Sequence, residues 1–229
     1  MIIEKIEAND LLTFFGPAMG LSIDEVQITA DAEGLSMRCV DPAHVAMMDA
    51  RLTVATWLDD AESFVVDLRD LSKVLGLFKG DTVDLRVDAG RLTIIAPGKR
   101  RSIRLVDREV GAPKVPQLEL ETIEVPNDEL KAAVKFGGDI SDHYVLDSLG
   151  GRLVIMSSDD MDTAEYDLGE TSVSMRVGIP ADYLSSIVKG LPSGGVSVLG
   201  VATDYPMRIQ SRTDKVTLMC LIAPRIEKD

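Results

Sequence analysis

The strongest constraint on this chain is that it repeats itself. Ile6-Glu7-Ala8-Asn9-Asp10-Leu11-Leu12 resembles Ile123-Glu124-Val125-Pro126-Asn127-Asp128-Glu129-Leu130, with one extra residue in the second copy. The offset then holds at about 118: Gly34-Leu35-Ser36-Met37 falls on Arg152-Leu153-Val154-Ile155, and Val40-Asp41 on Ser158-Asp159. Leu71-Ser72-Lys73-Val74-Leu75 later matches Leu184-Ser185-Ser186-Ile187-Val188 at an offset of 113, so a loop is shorter in copy two. Each match is short, and their common order is the signal. The chain therefore reads as an N-terminal domain over 1–106, a connector over 107–117 and a similar C-terminal domain over 118–229.

Both copies present the same succession of elements. An apolar strand (Met1 to Glu7, or Leu118 to Val125) leads into a short helix whose cap is expected at Asn9 or Asn127, since Asn accepts from free N–H groups of a first turn. Alternating strands follow, such as Glu25 to Thr29 and Leu35 to Cys39. A second helix is expected near Asp70 to Phe78, or Ala181 to Leu191 with Pro180 at its first position. A hairpin closes each copy: Thr82 to Val87, a turn at Asp88-Ala89-Gly90, then Arg91 to Ile95; or Val196 to Leu199, a turn near Asp204, then Pro206 to Gln210. The class is α+β, with two helices packed on antiparallel sheet and about eight short strands per copy. Pro17 should end or kink the first helix.

Charge narrows the function. Against 24 Lys and Arg stand 38 Asp and Glu, a net of −14. Such a surface repels nucleic acid on average and excludes a simple basic-surface DNA binder. Aromatics are only 4% of residues, too few for base-stacking platforms. No apolar run reaches the roughly 20 residues of a membrane span, and the acidic N-terminus does not read as a secretory leader. Cys39 and Cys220 form no framework, so a reduced, cytoplasmic protein is expected. Pro97-Gly98-Lys99-Arg100 lacks the first glycine and hydroxyl residue of a phosphate loop, and no GxGxxG follows a strand. His44 and His143 have no metal-ligand spacing, and Ser157 to Asp162 lacks the glycine and terminal glutamate of a calcium loop. No enzyme, metal site or cofactor is expected. A hydrolase with dispersed catalytic residues is the rival from another class, to be recognised by a deep pocket with converging titratable groups.

Four segments carry a resemblance. They are Arg38-Cys39-Val40-Asp41-Pro42-Ala43-His44-Val45, an R-x-x-D-x-x-x-V loop; the connector ending Ala112-Pro113-Lys114-Val115-Pro116-Gln117-Leu118; Asp204-Tyr205-Pro206-Met207-Arg208-Ile209; and the tail Leu221-Ile222-Ala223-Pro224-Arg225-Ile226-Glu227. In this order, on a duplicated domain, they resemble the ring-shaped DNA sliding clamps of archaea and eukaryotes, the PCNA (proliferating cell nuclear antigen) family, across essentially the whole chain, with an archaeal flavour.

The resemblance implies three chains joined head to tail into a six-domain ring, a homotrimer whose helices line the hole. Such a processivity factor encircles duplex DNA, tethers DNA polymerase and other replication and repair enzymes, and is loaded by a separate ATPase. It would be nucleoid-associated. Its DNA-facing candidates here are Lys73, Lys79, Lys131, Lys135 and Lys189. Topology rather than affinity would hold it, so these contacts need only be weak and sequence-independent. The first helix, Asn9 to Pro17, departs from the family by carrying no basic residue. The implied client pocket, for a short glutamine and apolar motif, falls on Val40, His44, Val45, Ala112, Pro113, Pro206, Ala223, Pro224 and Ile226. The implied subunit joint pairs a basic edge, with Arg100, Arg101 and Arg104, against an acidic one, with Asp162, Glu165 and Asp167. The nearest rival is an acidic clamp-fold scaffold, or a heterotrimer subunit, that does not encircle DNA as a homo-oligomer.

Overall fold

The computed structural model describes residues 1–225. Its first half runs β1 (Ile2–Glu7), α1 (Ala8–Gly20), β2 (Glu25–Asp31), β3 (Gly34–Val40), β4 (Ala46–Thr53), β5 (Glu62–Asp67), α2 (Leu68–Leu75), a 3-10 turn (Gly76–Phe78), β6 (Thr82–Asp88), β7 (Arg91–Ala96) and β8 (Lys99–Arg104). Its second half runs β9 (Glu121–Pro126), α3 (Asn127–Phe136), β10 (His143–Leu149), β11 (Arg152–Ser158), β12 (Thr163–Glu170), β13 (Arg176–Pro180), α4 (Ala181–Gly190), β14 (Val196–Val201), β15 (Met207–Arg212) and β16 (Val216–Ile222). The two halves repeat the same order of eight strands and two α-helices.

The halves share a sheet. Eight strands in the order β5-β2-β3-β4-β16-β15-β14-β9 cross from one copy to the other, joined where β4 meets β16 in an antiparallel ladder from Val216↔Leu52 to Ile222↔Ala46. Two four-stranded sheets, β1-β6-β7-β8 and β12-β11-β10-β13, complete the copies. Strand alternation sets the core: Val26, Ile28 and Ala30 of β2 are buried while their neighbours are not. The helices bury one stripe each, as Leu68, Leu71, Val74 and Leu75 do on α2, at the i, i+3, i+4 spacing of an amphipathic helix.

The four helices form one row. α2 packs on α1, α1 on α4 and α4 on α3, so helices from both copies share one layer against the sheets. The α1–α4 crossing is a backbone-on-backbone contact. A Cβ on Gly190 would lie 2.4 Å from Pro17 N, and one on Gly16 would lie 2.7 Å from Gly190 O. Only glycine permits this approach, and Pro17, with no N–H to satisfy, fits it.

Three local expectations are corrected. Pro17 does not end α1, which continues to Gly20. Asn9 and Asn127 make no cap, because α1 begins at Ala8 and α3 at Asn127 itself. The Asn127 amide instead sits fully buried, donating to Pro192 O, Gly194 O and Ser211 Oγ at 3.1 Å while accepting from Ser197 Oγ at 2.6 Å. Those bonds stitch α3 to the β14–β15 region. Asn9 accepts from Gly80 N. The helix that does carry a side-chain cap is α2, whose Asp67 Oδ1 accepts from Asp70 N at 2.9 Å. Pro180 stands one residue before α4 rather than at its first turn.

Candidate functional site

The helix row gathers the expected basic residues. Lys73 lies on α2, Lys131 and Lys135 on α3, and Lys189 on α4, while Lys79 follows the 3-10 turn after α2. Lys79 and Lys189 line one cleft of about 830 Å³ with Asn9, Gly16 and Ser193 at the α1–α4 crossing. Two of the five cations are already engaged. Lys131 Nζ donates to Leu191 O at 2.8 Å, closing the C-terminus of α4, and Lys73 Nζ reaches Asp70 at 3.4 Å. Lys79, Lys135 and Lys189 are exposed and make no ion pair among the described residues. α1 adds no cation of its own; Asp10 in its first turn takes Lys215 as an ion pair at 3.2 Å.

The two segments expected to meet between subunits are both sheet edges. β8 ends one four-stranded sheet and β12 the other. Arg100, Arg101 and Arg104 are exposed on β8 and make no ion pair among the described residues. On the acidic edge, Asp162 and Glu165 are likewise exposed and unpaired in that sense, but Asp167 is held by Arg152 of the neighbouring strand. The hydrogen bond from Arg152 keeps the Asp167 carboxyl below the usual carboxylate range.

Each edge also has an apolar shoulder that the sequence pattern did not reveal. Leu77, 60% exposed, sits beside β8, where its carbonyl accepts from Lys99 Nζ at 2.9 Å. Phe136, also 60% exposed, sits beside β12, edge-on to Tyr166 at 6.0 Å. The Tyr166 hydroxyl donates to Glu129 of α3 at 2.8 Å.

The third group assembles at one end of β3, β4, β15 and β16. Asp41 organises it. Its carboxylate, in a residue only 1% exposed, accepts from the N–H groups of Ala43 (2.9 Å), Val45 (2.7 Å) and Ala46 (2.7 Å) and from the Tyr183 hydroxyl of α4 (2.8 Å). Burial alone would raise this carboxyl, but the four donors outweigh it and leave the pKa below the ordinary value. The loop so folded presents His44, exposed and with a left-handed backbone at φ 59°, a conformation that His tolerates better than most side chains. Ala223 N donates to Val45 O at 2.7 Å, which lays the tail beside the loop. Val40↔Met47, Met47↔Leu221 and Met207↔Ile222 bring Val40 and Pro206 to the same end, with Pro224 half-buried there. Arg225 extends the attachment through Gly178 and Asp142.

The connector crosses β2 and β3. Val110 N donates to Gln27 at 3.4 Å, and Arg38 Nη1 donates to Pro113 O at 3.4 Å while Arg38 Nε holds Asp49 at 2.6 Å. Thus Pro113 lies over β3, two residues from Val40. Ala112 lines a separate cavity of about 1120 Å³, bounded by Gln27, Val65, Arg91 and Arg104. Ile226 lies outside the described residues. Arg38, Tyr183, Leu77 and Phe136 were not singled out by sequence reasoning. Only Arg38, within the R-x-x-D string, carried a signal that could have found it.

Among the described residues no helix is long and apolar enough to cross a membrane, and no family model matches the chain. Whole-chain comparisons do. A DNA polymerase sliding clamp of Methanosarcina mazei is 30% identical, over 93% of this chain and 94% of the relative. One from Methanothermobacter thermautotrophicus is 30% identical over 98% of this chain and 99% of its own. Among solved structures, A. fulgidus PCNA with the C-terminal region of FEN-1 bound matches at TM-score 0.90 and 25% identity, covering both chains fully. PCNA from Thermococcus kodakaraensis matches at TM-score 0.85 over 98% of this chain and 99% of its own, though at 21% identity it speaks for the fold alone. With relatives this similar over nearly their full length, a duplicated clamp fold and the R-x-x-D loop where the tail and connector meet, this chain belongs to the DNA polymerase sliding clamp (PCNA) family.

Proposed function

We propose that this protein acts as a homotrimeric ring that encircles duplex DNA and tethers replication and repair enzymes to it. The observation that supports the reading is the single helix row, whose helices carry Lys73, Lys131, Lys135 and Lys189, with Lys79 close after α2, in a chain whose net charge is −14. A closed ring needs no tight phosphate contact; a few exposed cations on the DNA-facing layer suffice to offset repulsion and still let the ring slide. The absence of cations on α1 limits the pull further, which suits topological retention. Loading would fall to an ATPase clamp loader.

Ring closure is assigned to β8 of one copy pairing with β12 of the next. An open edge strand offers unpaired N–H and C=O groups to a partner strand. The exposed arginines of β8 would meet Asp162, just before β12, and Glu165, on it, which favours head-to-tail contact over like-with-like. Leu77 of one copy and Phe136 of the next would then share an apolar contact. Both complementary edges belong to one chain, which favours the homotrimer over a mixed ring. Clients would enter at Val40, His44, Val45, Pro113, Pro206, Ala223 and Pro224, with Ala112 and Ile226 at the margins. In the A. fulgidus PCNA structure it is a FEN-1 C-terminal region that is bound.

The test is topological. After loading on a nicked circular duplex, the protein should stay bound through a low-salt wash with excess competitor DNA and be lost when the circle is cut once. Loss at equal rates from circular and linear DNA would overturn the reading.

A further inference from the structure

The chain has one tryptophan, and it points into solvent. Trp57 is 89% exposed, on the segment 54–61 between β4 and β5. A lone exposed apolar residue on a mobile loop tip would mean little. This segment is instead pinned on both sides of the indole. Val54 and Leu58 pack against the core, and Thr56 Oγ1 donates to Asp31 O at 2.6 Å. The backbone is anchored one residue before and one residue after the side chain left outside.

Its surroundings are acidic. Asp59 and Asp60 follow on the same segment, Glu62 opens β5, and Thr56 ties the segment to the β2–β3 turn with Asp31 and Glu33. Arg51 neutralises that turn, bonding Asp31 at 3.0 Å and Glu33 at 2.8 Å, and the N-terminal ammonium lies 4.0 Å from Glu62. Asp59 and Asp60 are exposed and make no ion pair among the described residues. An indole face with two uncompensated carboxylates fits an arginine or lysine side chain: the ring attracts the cation over its face and the carboxylates supply the charge. Nucleic acid and anionic lipid are disfavoured by the same charge.

The location is also separate from the client end. β4 begins at Ala46 beside the Asp41 loop and ends at Thr53, so its eight residues span about 25 Å at roughly 3.3 Å each. Trp57 leaves from the far end, where Thr53 N meets Lys215 O of the β15–β16 turn.

We infer that Trp57 with Asp59 and Asp60 forms a second docking site, for an arginine-bearing protein segment, at the end of β4 opposite the client loop. The site is complete within one chain and does not depend on ring formation. Because Trp57 is the sole tryptophan, intrinsic emission reads it directly. A short arginine–glycine peptide should change the emission saturably, and a glutamate–glycine peptide should not. By calorimetry, Trp57→Leu and the pair Asp59→Asn with Asp60→Asn should each weaken the arginine peptide about three- to tenfold. Glu119→Gln with Glu121→Gln, exposed carboxylates elsewhere, should leave it unchanged. Oligomer mass and client-peptide affinity should be unaltered in Trp57→Leu, which separates this site from the ring and client readings. Peptide binding without an emission change, or equal affinity in Trp57→Leu, overturns the inference. So does an emission shift with protein concentration alone, which would make a second copy the occupant.

Discussion

The Tyr183 hydroxyl donates to the Asp41 carboxylate at 2.8 Å, across 142 residues of sequence. This bond ties a helix of the second copy to the loop of the first that the client reading depends on. The two copies are therefore coupled at the loop as well as through the β4–β16 ladder. Tyr183→Phe removes one donor from a buried charge, a loss of about 1–2 kcal/mol. Thermal unfolding should register that loss, and client-peptide affinity should fall while oligomer mass stays the same. Asp41→Asn, which weakens every bond the loop makes to this side chain, should cost more on both counts.

The same loop gives a pH dependence. The Asp41 carboxyl lies below its ordinary value when folded, so its stabilising contribution is fully present above the unfolded pKa of about 3.9. That contribution is lost only as pH falls through the lower folded value. Asp142, which anchors Arg225 of the tail, is held down to about 2 by hydrogen bonds from Arg225 and His143. Client-peptide binding should therefore persist as pH falls from 7 to about 4.5, and fade only below that. A midpoint between pH 6 and 7 would contradict this.

The α1–α4 crossing should resist any side chain. Gly190→Ala places a Cβ 2.4 Å from Pro17 N, where backbone cannot yield cheaply. We expect a loss of about 1–3 kcal/mol, the range for overpacking. Gly76→Ala is the control, since a Cβ there meets nothing within 4 Å and the residue is right-handed helical. It should be neutral or slightly stabilising. Denaturant midpoints at constant slope compare the two.

How much of this was legible in the sequence depends on range. The duplication, the order of the elements and the class came from periodicity and from matching strings, because strand alternation and helix stripes are local. The caps were misread because Asn127 looks the same whether it faces its own N–H groups or a buried cluster 65 to 84 residues away. Pro17 does not end α1, which runs on to Gly20, and its close approach to Gly190, on another helix in the other copy, carried no local signal. That α2 and α3 belong to one row of helices is not legible locally, since nothing near either helix in sequence names its neighbour. Leu77 and Phe136 gave no signal, for an exposed apolar residue becomes informative only when the edge strand beside it is known.

The apolar shoulders and the charged edges should contribute separately to the joint. Phe136→Ala should weaken subunit association at all salt concentrations. Arg100→Glu with Arg101→Glu should weaken it most at low salt, where exposed charges are least screened. Sedimentation at several concentrations separates the two effects.

If three copies close a ring through β8 and β12, the solution mass by light scattering must report it. The mass should be about three times the 24.8 kDa of one chain at low salt and fall toward that of a monomer as salt rises. Arg100→Glu with Arg101→Glu should give monomer, and trimer should return when Asp162→Arg with Glu165→Arg is combined with it in the same chain. A wild-type chain that stays at 24.8 kDa under every condition, or a trimer untouched by reversing the β8 arginines, would contradict it.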